Sequence, residues 1–307
     1  MSRKKYLIIG CNGFIGLHLT NYLNESGCEV AGADINANFN KALTHNKYFE
    51  LNTEKMNYDF IFANQDFDFC INCSGAASVP NSLNNPLFDF ELNSLNVFKI
   101  LNSIRLYNPS CNFINLSSAA VYGNPSSLPV SEKDSVHPIS PYGIHKYMSE
   151  EICREFHVNF RLNTCSLRIF SAFGEGLRKQ FFWDLFHRMK GAEGEIELYG
   201  TGKETRDFIY INDLVKAIEL VSLNSNFKAD VINIANGVEI EIVEAATIFK
   251  SFLGFNGEIV FNGNFREGDP LNWCADISKL ISFGYKSSFS LQTGIENYIN
   301  WIRNIKN

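Results

Sequence analysis

The fold is decided by one stretch near the start of the chain, Tyr6-Leu7-Ile8-Ile9-Gly10-Cys11-Asn12-Gly13-Phe14-Ile15-Gly16. The apolar run before Gly10 is typical of a buried strand, and apolar residues recur at helical spacing from Phe14 to Asn24. The glycines between these two patterns predict a tight turn. The segment is therefore interpreted as a strand, a turn and a helix.

The same glycines have the spacing G-x-x-G-x-x-G, a variant of the fingerprint of dinucleotide-binding loops. In such a loop the first glycine permits the turn, the second lets the backbone approach a pyrophosphate, and the third lets the helix pack closely on the sheet. The free amides and the positive end of the helix would hold the phosphates. A glycine turn alone is also compatible with a plain structural turn. The candidate cofactor contacts of this loop are Gly10, Gly13, Phe14, Ile15 and Gly16.

A second signal for a dinucleotide comes from Asp34. It closes the apolar segment Glu29–Asp34, in the position about 20 residues after the glycine loop that the fingerprint requires. A carboxylate there suits the two ribose hydroxyls and repels a 2′-phosphate. Because no arginine occurs in residues 35–39, the sequence predicts NAD rather than NADP, with Ile35 and Asn36 as further contacts.

Short apolar runs alternate with helical patterns over the first half of the chain, which predicts a doubly wound parallel sheet with helices on both faces. From Phe170 onward glycine-rich turns and shorter elements predict a smaller α/β lobe for substrate. The predicted domains are residues 1–168 for the cofactor, joined again by residues of about 207–234, and mainly residues 169–307 for the substrate.

The composition is that of a globular protein, with 307 residues, 45% hydrophobic, 20% charged and a formal net charge of -6. This excludes disordered and fibrous classes, and the scattered basic residues argue against nucleic-acid binding. No apolar run reaches the roughly 18 residues of a membrane helix. Eight cysteines without an export signal predict reduced thiols and a cytoplasmic protein. No metal site is predicted.

A catalytic pair is indicated by Tyr142 and Lys146, which share one helix face because they are four residues apart. A nearby ammonium and a positively charged nicotinamide favour the phenolate form of tyrosine, which suits proton transfer from an alcohol that loses hydride. Ser118 lies in a serine pair after the fourth apolar strand. An incidental Tyr and Lys on a surface helix is the alternative, which the glycine loop and serines make less attractive.

With these motifs, the sequence resembles the extended short-chain dehydrogenase/reductase family, in its nucleotide-sugar epimerase/dehydratase branch (UDP-glucose 4-epimerase-like). The resemblance covers nearly the whole chain. It is carried further by the segments Ala77–Ser82, Leu167–Gly174, Gly200–Gly202, Arg206–Asp213 and Arg266–Pro270.

The resemblance implies a role for each matching residue. Ser118 would hydrogen-bond the reacting sugar oxygen, Tyr142 would be the acid/base, and Lys146 would also grip the nicotinamide ribose. Further cofactor contacts are implied at Asn52, Cys73, Ser74, Gly75, Asn93 and Ile169. Substrate contacts are implied at Ser78, Ser82, Ser171, Tyr199, Arg206 and Arg266, with the two arginines on the diphosphate, whose oxygens suit guanidinium donors.

Ala119 and Ala120 distinguish between the reactions of this branch. Dehydratases similar to this chain typically have acidic residues there to eliminate water, and methyl groups cannot transfer protons. The expected function is therefore NAD-dependent inversion at C4 of a nucleotide-activated hexose, a UDP-hexose or UDP-N-acetylhexosamine. The alternatives are a 4-ketoreductase, a 4,6-dehydratase or a non-catalytic dinucleotide sensor. Helices beginning near Phe88 and Tyr142 would, by resemblance, form a four-helix homodimer interface.

Overall fold

The computed structural model describes residues 3–36, 43, 47–52 and 56–305. Its strands are β1 (Lys5–Ile9), β2 (Glu29–Asp34), β3 (Tyr48–Glu50), β4 (Phe69–Asn72), β5 (Asn112–Ser118), β6 (Thr164–Ile169), β7 (Ser171–Phe173), β8 (Ile196–Leu198), β9 (Thr205–Arg206), β10 (Phe208–Tyr210), β11 (Lys228–Ile234), β12 (Ile240–Glu241) and β13 (Ile259–Phe261). Its α-helices are α1 (Phe14–Glu25), α2 (Asp59–Phe62), α3 (Val79–Asn84), α4 (Pro86–Phe90), α5 (Asn96–Tyr107), α6 (Pro141–Phe160), α7 (Gln180–Lys190), α8 (Ile211–Asn224), α9 (Ile242–Leu253), α10 (Ser278–Ser282) and α11 (Leu291–Asn304).

The central sheet has seven strands in the order β11-β6-β5-β4-β1-β2-β3. All neighbouring pairs are parallel. Alternate residues of β1 point to opposite faces: Ile8 packs in the core that holds Leu19 of α1, and Ile9 packs in the core that holds Phe156 of α6. Each such side chain contributes about 1.5–3 kcal/mol through burial. The predicted doubly wound α/β fold is confirmed.

Small two-stranded sheets follow β6, formed by β7 with β10, β9 with β12, and β8 with β13. Aromatic side chains fill the core among α7, α9 and α11; the rings of Phe182 and Phe249 stack at 5.6 Å, and Tyr298 lies beside Phe182. β11 lies beside β6 at the edge of the central sheet. The predicted boundaries between the two domains stay a prediction.

The carboxyl ends of the parallel strands meet at one edge of the sheet, where ligands bind in doubly wound folds. This edge carries the glycine turn after β1, Asp34 at the end of β2, the loop after β4 and Ser118 at the end of β5. Among the described residues, no helix combines the length and apolarity needed to cross a membrane.

Candidate active site

The turn between β1 and α1 contains two glycines at which a side chain would clash with the backbone. Gly10 has a φ of +79°, and a Cβ there would lie 2.7 Å from the backbone nitrogen of Ser74. A Cβ at Gly16 would lie 2.1 Å from the carbonyl oxygen of Gly10. The amides in the first turn of any helix lack acceptors within the helix. α1 begins at Phe14 without a side-chain cap that would replace them. The turn therefore suits a bound anion such as a pyrophosphate.

Asp34 stands beside this turn. Its carboxylate accepts hydrogen bonds from the backbone amides of Asn12 (2.9 Å) and Asn36 (3.3 Å). Ile35, although large and apolar, is exposed. Asn52, also exposed, follows β3. Residues 37–39, which belong to the segment without arginine, lie outside the described residues. The described residues around Asp34 fit the adenosine half of a dinucleotide.

The loop after β4 brings the cofactor side and the catalytic side together. Ser74 bonds to Asn72 and Asn96 through its hydroxyl. A Cβ at Gly75 would lie 2.6 Å from Oδ1 of Asn93 and 3.5 Å from Nζ of Lys146. The Asn93 side chain is buried, and neither its Nδ2 nor its Oδ1 has a partner among the described residues. Buried polar atoms of this kind point to a ligand that completes their hydrogen bonds.

Helix α6 positions the catalytic candidates. Ser140 caps its first turn through a 3.1 Å bond from the Gly143 amide, and Pro141 occupies the first helical position. The backbone amide of Tyr142 donates to the Ser82 hydroxyl at 3.1 Å. One turn later, Lys146 donates from Nζ to the Leu116 carbonyl at 2.8 Å, and Nζ lies 5.9 Å from the centre of the Tyr142 ring.

Ser118 completes this group. Burial raises the pKa of Tyr142 to about 12, while a hydrogen bond with the Ser118 side chain lowers it. Burial lowers the pKa of Lys146 to about 8. The Ser118, Tyr142 and Lys146 side chains thus form one cluster, as expected from their order in the sequence. Among the protein's own groups, burial has the largest influence on Tyr142 and raises its pKa; the contribution expected from a positively charged nicotinamide stays a prediction.

The candidate diphosphate arginines are already engaged. Arg206 donates from Nη1 to the carbonyls of Thr205 (2.8 Å) and Leu271 (3.1 Å). The Arg266 guanidinium lies 4.5 Å from the centre of the Tyr199 ring. Burial raises the pKa of Asp269, and the positive charges of Arg206 and Arg266 oppose that rise. Arg266 also pairs with the Asp184 carboxylate at 3.6 Å, so each arginine has its own partners in the structure.

The loop that carries Arg266 touches the start of α6. A Cβ at Gly268, whose φ is +79°, would lie 2.7 Å from Cγ1 of Val79 and 3.2 Å from Cβ of Ser140. Ser78 caps α3 through a bond from the Asn81 amide, which occupies its hydroxyl. Ser171 begins β7, and Ile169 pairs in register with Ser118.

A family model for the NAD-dependent epimerase/dehydratase family matches residues 6–235. The chain belongs to this family. It is 31% identical to a Methanocaldococcus jannaschii protein named "Putative UDP-glucose 4-epimerase", over 97% of this chain and 98% of the relative.

The chain is also similar to two solved structures. A UDP-N-acetylglucosamine 4-epimerase from Methanobrevibacter ruminantium, in complex with UDP-N-acetylmuramic acid, is 25% identical, with a TM-score of 0.86 over 99% of both chains. A UDP-glucuronic acid 4-epimerase from Bacillus cereus, in complex with UDP-glucuronic acid and NAD, is 25% identical, with a TM-score of 0.86 over 97% of this chain and 99% of that one.

A buried ion pair lies beside the cluster of Ser118, Tyr142 and Lys146, and sequence reasoning missed it. Arg168 on β6 donates from Nη2 to Glu150 on α6 at 2.7 Å and from Nε at 3.0 Å. Glu150 also accepts from the hydroxyl of Ser117, next to Ser118, at 2.6 Å. The Arg168 guanidinium lies 4.7 Å from the centre of the Tyr122 ring. A charged residue inside an apolar strand, as in Leu167-Arg168-Ile169, was the signal that could have revealed the pair.

Lys179 is a further cation near the site that the sequence did not single out. It precedes α7. Its positive charge lowers the pKa of Lys146, although burial lowers that pKa more and negative groups nearby oppose both effects. It is exposed over much of its surface, although burial lowers its own pKa. Among the described residues it forms no ion pair within 4.0 Å.

Proposed function

We propose that the chain is an NAD-dependent 4-epimerase of a UDP-linked hexose, acting through a transient 4-keto sugar. The observation that carries the proposal is the cluster of Ser118, Tyr142 and Lys146 beside Gly75 and the unpartnered Asn93 side chain. The names of the similar epimerases support the reaction and the UDP-sugar class.

The cofactor-side residues fit a dinucleotide. In the proposal, the loop residues Gly10, Gly13, Phe14, Ile15 and Gly16 hold its phosphates, and Asp34, Ile35, Asn36 and Asn52 hold its adenosine half. Cys73, Ser74, Gly75, Asn93, Lys146 and Ile169 surround the nicotinamide half. Bound NAD supplies a reversible hydride acceptor at this position.

The chain's own residues handle the proton. As a phenolate, the form that the Lys146 ammonium and a positively charged nicotinamide favour, Tyr142 takes the proton of the C4 hydroxyl and returns it after inversion, while Ser118 donates a hydrogen bond to the reacting oxygen. The Lys146 ammonium stabilises the phenolate. Ala119 and Ala120, which follow Ser118, are buried and offer no group that could eliminate water. Proton transfer is thereby confined to the one carbon that Tyr142 reaches.

On the substrate side, Arg206 and Arg266 would bind the diphosphate and Tyr199 the base, with Ser78, Ser82 and Ser171 near the sugar. In the structure, Arg206 bonds to two backbone carbonyls and Arg266 pairs with Asp184 at 3.6 Å. A diphosphate matches them better because its oxygens accept several charge-assisted bonds at once.

The test is incubation of the purified protein and NAD with UDP-glucose, UDP-N-acetylglucosamine and UDP-glucuronic acid, each followed by separation of the C4 epimers. Interconversion of at least one pair without net NADH production is expected. Stoichiometric NADH consumption with a 4-keto sugar would instead indicate a ketoreductase. No conversion of any pair would overturn the proposal.

The proposed assembly is a homodimer formed through α4, α5 and α6. Large apolar side chains are exposed on these helices: Leu87 (66%), Phe88 (53%), Phe98 (40%), Ile144 (43%) and Met148 (43%). Exposed apolar groups concentrated on neighbouring helices are typical of a protein interface. Light scattering on the purified protein should give twice the 34.8 kDa chain mass; a monomer at micromolar concentration would contradict the dimer.

A further inference from the structure

Helices α4 and α5 are joined by a π-helical turn, Glu91–Leu95. In this turn the backbone amide of Asn96 donates to the carbonyl of Glu91, five residues earlier. The hydrogen bond spans one residue more than in an α-helix, so the turn changes the direction in which neighbouring side chains point, and such turns often occur at functional sites. The side chains that this turn directs inward therefore bear on the nearby site.

Three polar side chains in and after this turn are buried, and two of them have partners in the protein. The Ser94 hydroxyl donates to the backbone carbonyl of His145 on α6 at 2.8 Å. The Asn96 amide donates to the Ser74 hydroxyl at 3.0 Å. The third side chain, Asn93, is only 1% exposed, and neither of its polar atoms has a partner among the described residues. Of the three, the Asn93 amide is therefore the one available to a ligand.

The Asn93 amide lies where the loop after β4 approaches α6. A Cβ at Gly75 would lie 2.6 Å from Oδ1 of Asn93 and 3.5 Å from Nζ of Lys146. Because Gly75 has no side chain, the backbone of this loop can approach the amide closely. An amide carries both a donor and an acceptor. It therefore suits a hydroxyl or a carboxamide of a dinucleotide, since these groups also donate and accept.

His145 contacts the π-helical turn at both of its ends. Its ring nitrogen Nδ1 lies 2.7 Å from Oδ1 of Asp89, which precedes the turn and is 2% exposed. The ring also lies edge-on to Phe90, with 5.6 Å between the centres. Ser94, near the other end, bonds to the backbone carbonyl of His145. A buried pair such as Asp89 and His145 often adds little stability, and its best-attested use is to fix one arrangement among several.

We propose that His145, through Asp89 and Ser94, holds the π-helical turn in the register that directs the Asn93 amide to the nicotinamide half of NAD. His145 is a positioning residue, because its ring contacts Asp89 and it acts on the cofactor through Asn93. Without its ring, Asn93 is in place in a smaller fraction of molecules, and the apparent NAD affinity falls with that fraction. The inference rests on the proposed function for the place of the nicotinamide half, but its test needs no turnover of a UDP-sugar.

The test is a double-mutant cycle on NAD affinity, measured by calorimetry without a UDP-sugar. Asn93→Ala should weaken NAD binding about tenfold through the loss of its hydrogen bonds. His145→Ala should weaken it about fivefold, because fewer molecules have Asn93 in place. In the Asn93→Ala protein, the added His145→Ala substitution should have no further effect, because the two residues act as one unit.

His157→Ala is the matched control. His157 also lies on α6, with its Nδ1 2.8 Å from the Leu162 carbonyl, and its substitution should leave NAD affinity unchanged. His145→Asn is the conservative variant. Its side-chain amide can replace Nδ1 as the donor to Asp89, so this variant should bind NAD as tightly as the unsubstituted protein.

Losses that add in the double variant would overturn the inference, because His145 would then act through Lys146 or through general stability and not through Asn93. Unchanged NAD affinity in either single variant would overturn it too. If His145→Ala does not fold, Ser94→Ala, which removes the bond near the other end of the turn, takes its place in the cycle. If the cycle shows the coupling but no UDP-sugar is converted, the inference holds and the proposed function fails.

Discussion

The cofactor side and the substrate side of the site use their polar groups in opposite ways. On the cofactor side, the Asn93 side chain is buried and has no hydrogen-bond partner within the part of the chain that the structure describes. On the substrate side, Arg206 bonds two carbonyls and Arg266 lies over Tyr199. A ligand that binds on the cofactor side adds hydrogen bonds to buried polar groups, each of which destabilises the protein by about 1–3 kcal/mol when it is unsatisfied. A ligand that binds on the substrate side replaces the partners that the arginines already have. The two sides should therefore respond differently to substitution.

Tyr142→Phe should have the largest effect, because it lies where the two sides meet. We expect kcat to fall about a thousandfold through loss of proton transfer. Calorimetry should find NAD and UDP still bound. Tyr147→Phe, on the same helix, is the control and should keep full turnover. A Tyr142→Phe protein with near-normal turnover would contradict the assigned acid/base.

Gly16→Ala should weaken binding on the cofactor side and leave the substrate side unchanged. Its Cβ would overlap the Gly10 carbonyl, and the resulting displacement should cost about 3 kcal/mol, or about 100-fold in NAD affinity. UDP affinity should stay unchanged. Gly191→Ala is the control, since a Cβ there meets no heavy atom within 4 Å. Equal loss of both ligands, with an unchanged melting temperature, would contradict the separation.

Arg206→Ala should show the reverse pattern. Loss of charge-assisted bonds to a diphosphate should raise KM for the UDP-sugar about 30-fold and leave NAD binding unchanged. The control is Arg154→Ala, which removes an exposed guanidinium paired with Glu151 and should change neither. If KM for the UDP-sugar is unaffected, the diphosphate lies elsewhere.

The smallest effect concerns pH. Because the pKa of Lys146 is lowered to about 8, its ammonium is lost as the pH rises through that value, and kcat/KM should fall by about half there. Lys146→Arg keeps a cation at every working pH, so whatever its rate at neutral pH, this alkaline fall should disappear. A fall of the same size in both proteins would assign the limb to another group.

The sequence predicted those parts of the site that spacing alone defines. The glycine turn and the Tyr142–Lys146 face are local, because a few consecutive residues determine their geometry. The Arg168–Glu150 and Asp89–His145 pairs join residues distant in the chain, so they depend on how β6, α4 and α6 pack. The rise in the pKa of Tyr142 through burial has a related cause, since that burial depends on the entire fold around α6.

Gly268 links the two sides in a way that bears on evolutionary change. The loop that carries Arg266 rests against Ser140 and Val79, with no room for a side chain at position 268. A side chain at position 268 would displace the loop that carries Arg266 from the start of α6, so we expect substitution to be tolerated least at this position of the loop.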